Sequence, residues 1–106
     1  MTFNIDKTRS SAGGLCRVII DGDMTIYAIE SLKLAFEKTF DDYHCFELNL
    51  SGVEEIDSSG IQLLLALRKE LALRDKEFRI MAPSNEVDKF LDAYEIRDKF
   101  LIGEAA

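Results

Sequence analysis

One pair of neighbouring segments restricts the fold more than any other feature. Residues 44–50 (HCFELNL) alternate, with Phe46, Leu48 and Leu50 pointing one way and Cys45, Glu47 and Asn49 the other. That period of two marks a β-strand. A strand covered on both faces reads as an unbroken apolar run, whereas this one has a partly polar face. Helices are therefore expected on one side only of an open sheet. Further along, Ile61 to Leu67 is apolar nearly all round apart from Gln62, which predicts a centrally placed helix over about 60–74. Ser51 to Gly60, between the two, reads as a long connection.

The rest of the chain continues this succession. Residues 2–8 (TFNIDKT), with Phe3 and Ile5 on one face, predict a first strand, and Ser11-Ala12-Gly13-Gly14 a turn. Residues 15–21 (LCRVIID) predict a second strand, paired with the first as a hairpin and ended by Gly22-Asp23-Met24. Thr25 suits the N-cap of a helix over about 26–40, in which Ile29, Leu32, Phe36 and Phe40 form a buried stripe. After the turn Arg74-Asp75-Lys76, Glu77 to Ala82 gives another strand, stopped by Pro83. Ser84 caps a short helix over about 85–93, with Val87, Phe90, Leu91 and Tyr94 inward. Residues 98–103 form either a last short strand or an apolar plug.

The predicted order is β-β-α-β-α-β-α-(β): an α/β fold (α+β in looser schemes) with a mixed sheet of four to five strands. Strand–helix–strand units favour right-handed crossovers between parallel neighbours, and the opening hairpin adds a strand of opposite sense. A length of 106 residues suits one domain, 1–106.

Composition then excludes several functions. A net charge of −7 repels phosphate backbones and anionic headgroups, which argues against nucleic acid and membrane surfaces as partners. No run of about 18 apolar residues exists to span a bilayer. The start, MTFNIDKTRSS, has no apolar signal core, so a cytoplasmic protein is expected. Cys16 and Cys45 sit in separate apolar runs and are expected as buried free thiols, and the lone His44 as a structural residue opening its strand. No metal-ligand spacing, phosphate-binding glycine loop or GxSxG sequence is present.

The segment that holds chemistry is Asp57-Ser58-Ser59-Gly60-Ile61-Gln62. Read locally, Ser59 to Gln62 fits the capping box S-x-x-Q, with Asp57 favourable beside the helix N-terminus. On that reading Ser58 lies just outside the helix with an unassigned hydroxyl, beside Gly60, which keeps the backbone accessible. Phosphate there is tolerated by the fold, but it places roughly −1.5 to −2 charges beside Asp57, Glu54 and Glu55. A catalytic role for Ser58 needs a base within reach, and His44 lies at the far end of the preceding strand.

At residues 48–70, LNLSGVEEIDSSGIQLLLALRKE, the chain resembles the STAS family: a strand, a Ser-Gly turn, an Ile-Asp-Ser-Ser-Gly motif and an apolar helix. Gly22-Asp23-Met24-Thr25 is similar to the family's turn after its second strand. The resemblance implies a non-enzymatic partner switch of the anti-sigma-factor-antagonist kind. Its implied partners are a serine kinase of the anti-sigma type, which phosphorylates the serine after the motif Asp, here Ser58, and a PP2C-type phosphatase that restores it. The kinase supplies ATP and Mg²⁺, so no cofactor and no small-molecule ligand are expected on this chain. The implied partner-binding residues are Asp23, Thr25, Glu54, Glu55, Asp57, Ser59 and Gly60, with the Gly22–Thr25 turn beside the Ser58 loop. Thr25-Ile26-Tyr27 and Gly60-Ile61-Gln62-Leu63-Leu64 look more like stand-alone STAS proteins of chemotaxis, biofilm or lipid-transport systems. The competing expectation is accordingly a constitutive STAS adaptor in a signalling, chemotaxis or lipid-transport complex, with Ser58 merely structural. A nucleotide or lipid sensor built on the Gly22 and Ser58 loops is a third.

Overall fold

A computed structural model describes residues 2–8, 14–38 and 41–103. Nine elements follow one another: strand β1 (Thr2–Thr8), β2 (Leu15–Met24), helix α1 (Ile26–Glu37), β3 (Cys45–Ile56), α2 (Ser58–Leu73), β4 (Glu77–Met81), α3 (Asn85–Ala93), a 3₁₀ turn (Arg97–Lys99) and β5 (Leu101–Gly103). The five strands form one sheet in the order β1-β2-β3-β4-β5. β1 pairs antiparallel with β2, and the four later strands are mutually parallel. The hairpin and the mixed sheet are as the sequence predicts, and of the two alternatives for the tail the structure has the short strand. Phe40, the turn 11–13 and the facing of Phe3 and Ile5 lie outside the described residues.

Register explains the layers. Cys16, Phe46 and Phe78 are aligned across β2, β3 and β4, as are Val18, Leu48 and Ile80. All six side chains are buried, and Leu32, Phe36, Leu64, Leu67, Leu71, Val87 and Leu91 from the three helices complete the same core. The alternate residues, Arg17, Glu47 and Arg79, are aligned on the opposite face. There Arg17 donates from Nε and Nη2 to Glu47 Oε1 at 3.1 and 3.0 Å. Arg79 lies 4.0 Å from Glu47 Oε2. The carboxylate is thus screened by two guanidinium stems, although it faces away from the helices. Cys45 shares this face and is half-buried, not buried as expected. Burial, with Glu77 close by, pushes its thiol above the ordinary value. Cys16, on the core face, is fully buried.

Several boundaries differ from the sequence reading. β2 does not end at Gly22 but continues to Met24, and β3 continues through the expected connection to Ile56. The reason is a pair of register shifts, between Ile19 and Asp21 and between Gly22 and Asp23, which let the two strands stay paired through polar sequence. Val53 and Ile56 anchor the extension in the core. Gly52 faces Asp21 across the pair, and a Cβ there would have to displace the exposed Asp21 carboxylate. α1 ends at Glu37, with Lys38 as its cap. Tyr94 is 51% exposed, not inward: it is the C-cap of α3, and its ring stacks on Phe90.

Candidate functional site

The ends of β2 and β3 lie side by side, with Asp23 opposite Glu55 and Met24 opposite Ile56. From these ends α1 and α2 depart, so both helix starts, with their unpaired amides and partial positive charge, fall next to each other. Asp57 joins them. Its Oδ1 accepts from the amides of Ser59 at 2.9 Å and Gly60 at 3.3 Å, which caps α2. Its Oδ2 accepts from the Ile26 amide, the first of α1, at 3.3 Å. Its own N–H donates to the Met24 carbonyl at 3.3 Å. Thr25 occupies the N-cap position of α1 as expected, but its side chain makes no capping bond. The carboxylate across the gap does that instead.

This overturns the capping box. With Asp57 as N-cap, the third helical position is Gly60, which has no side chain to reach back, and Gln62 is exposed beyond the first turn. Ser58 is not outside the helix but its first residue, and Ser59 its second. Both serines are interchangeable with Asp57 as local caps. The choice is made by β3, whose pairing with β2 runs to Ile56 and leaves Asp57 at the corner.

Ser58 is exposed and outside the capping bonds of α2, while Ser59 is half-buried. Glu54 and Glu55 are exposed nearby, and Asp23 and Thr25 are half-buried on the adjoining turn. Gly60 is buried, and a Cβ there would come within 2.6 Å of Ile56 Cγ1 and 2.8 Å of the Met24 carbonyl. Its role is close helix–strand packing, not backbone access. His44 precedes β3 at the opposite end of the strand and brings no base to Ser58. Among the described residues no group of three His, Cys, Asp or Glu is placed to hold a metal ion, and no helix is long and apolar enough to cross a membrane.

The fold that carries this corner is shared with known proteins. The family model "STAS domain" matches residues 7–105, and this chain belongs to the STAS family. Among its relatives is an anti-sigma-B factor antagonist of Staphylococcus aureus, 25% identical over 109 residues, covering 98% of this chain and 95% of that protein. The fold of this chain is that of the anti-sigma factor antagonist SpoIIAA in its unphosphorylated form (TM-score 0.81, 17% identity, 99% of this chain and 89% of that one). The phosphorylated form of the Bacillus protein is also similar (TM-score 0.74, 15% identity, 97% and 92%).

Proposed function

We propose that this chain is a cytoplasmic, phosphorylation-controlled interaction switch, with Ser58 as the phosphoacceptor for an anti-sigma-type serine kinase and a PP2C-type phosphatase as its reset. The carrying observation is that Ser58 is exposed at a helix start whose capping is done by its neighbour. The S. aureus relative's role as an antagonist, and the existence of SpoIIAA in two phosphorylation states, support the reading.

The physics separates fold from binding. A dianion in the first turn of a helix gains on the order of 0.3–1 kcal/mol from the helix dipole, so the domain stays folded. A partner covering the same spot meets extra charge next to Asp57 and close to Ile26, an exposed apolar side chain at the start of α1. Desolvating a phosphate in such a contact is costly, and the nearby acids add like-charge repulsion. Asp23, Thr25, Glu54, Glu55, Asp57, Ser59 and Gly60 then form or support the partner-facing corner.

Peptide mapping and intact mass of protein from its native cell test the acceptor: one phosphate is expected, on the peptide containing Ser58. In partner capture, Ser58→Ala and Ser58→Asp are expected to differ at least about tenfold, equivalent to about 1.4 kcal/mol. Equal capture by the two variants, with no phosphate on Ser58, leaves a constitutive STAS adaptor instead.

A further inference from the structure

A groove of about 860 Å³ lies between α1 and α2. Both helices return from the ends of parallel strands, so they run in the same direction, and Asp57 ties their starts together. Ile26, Ile29, Leu63 and Leu67 give the groove its apolar lining, and Ile26 is 63% exposed. Ser59 stands at one end. At the other, Arg74 donates to Glu70 at 3.1 Å and to Asp41 at 3.0 Å, so that cation is already engaged by two carboxylates. Along α1 the rim holds Glu30, Lys33 and Glu37. Acid is therefore in excess along the rim, as it is over the whole chain.

We infer that this groove receives an amphipathic helix of a protein partner, with apolar side chains at three- and four-residue spacing flanked by Lys and Arg. The inference rests on the Ser58 corner being the partner-facing end of the molecule. Three observations select this occupant. The twelve residues of α1 make a trough about 18 Å long, which is three helical turns. The apolar lining fits a hydrophobic stripe, as in helix-in-groove recognition. The acidic excess favours cationic flanks, and disfavours a second copy of a chain carrying −7, an anionic lipid surface or a nucleic acid. A helix seated here ends against Ser59, one residue from Ser58, which is how a phosphate at the corner reaches the bound segment.

The test is site-specific photo-crosslinking of the full chain in its native cell, with benzoylphenylalanine at Gln62, an exposed groove position, and at Lys89, an exposed position on α3. The Gln62 probe is expected to yield an adduct whose partner peptide has an apolar three–four stripe and net positive charge. An adduct to this same chain, to lipid or to an acidic segment overturns the inference, as does a yield no higher than at Lys89. Glu30→Lys combined with Glu37→Lys, both exposed, is expected to lower the adduct at least tenfold with Tm unchanged; an undiminished adduct also overturns it. The two readings fail separately. If the switch is wrong, Ser58→Ala and Ser58→Asp give the same adduct. If the groove is wrong, the Ser58 phosphate remains and the adduct is absent.

Discussion

The starts of α2 and α3 contain similar residues and use them in opposite ways. At α3 the serine is the cap: Ser84 Oγ accepts from the Val87 amide at 3.3 Å, and Glu86 and Asp88 already supply negative charge in the first turn. At α2 an aspartate is the cap, and the first turn has two serines and no acid. A serine occupied as a cap sits on the Ncap corner with its oxygen turned inward to the amides. An aspartate one position earlier releases the next serine to solvent while the helix stays anchored. The presence of serine at a helix start therefore says little; what decides its availability is which residue receives the amides.

Substitutions can break this comparison. The largest effect is expected from Gly60→Val, which forces a branched side chain against Ile56 and the Met24 carbonyl. Overpacking of this kind costs about 3 kcal/mol, read as a lower urea midpoint. Next comes Asp57→Ala, expected to cost about 2 kcal/mol because one carboxylate serves two helices, against about 1 kcal/mol for Ser84→Ala. If the two alanine variants unfold at the same denaturant concentration, the bond to Ile26 contributes nothing and α1 is independent of the corner. The smallest effect belongs to Ser58→Ala, expected within about 0.5 kcal/mol of the parent because the hydroxyl has no capping duty. A loss comparable to that of Ser84→Ala would show Ser58 to be a structural residue after all.

The same contrast explains what could be read in advance. α3 was legible because its determinants are local: Pro83 before it, Ser84 as cap, and Val87 and Leu91 four apart. The bare sheet face was legible from Glu47 and Asn49, which alternate with Phe46, Leu48 and Leu50. The α2 start was legible as a helix start but not in its details, since Asp57 and Ser59 are equivalent caps until the end of β3 is known. That end depends on pairing with β2 through two register shifts, which leave no mark in the sequence beyond Val53 and Ile56. Likewise nothing local in Thr25 indicates that α1 takes its cap from a residue 31 positions away. Tyr94 follows the apolar spacing of α3 but stands at its C-cap, where its ring lies on Phe90 and stays half exposed.

The strand order has a kinetic consequence. Each strand pairs with the one before it in the chain, so no described pairing joins residues separated by more than about a third of the sequence, although each parallel pairing must first close a helical crossover. The sheet can therefore assemble by accretion from any adjacent pair. A newly made chain can dock β2 on β3 and seat α1 over them before its last third leaves the ribosome, and the Asp57 corner takes shape as soon as α2 begins to coil.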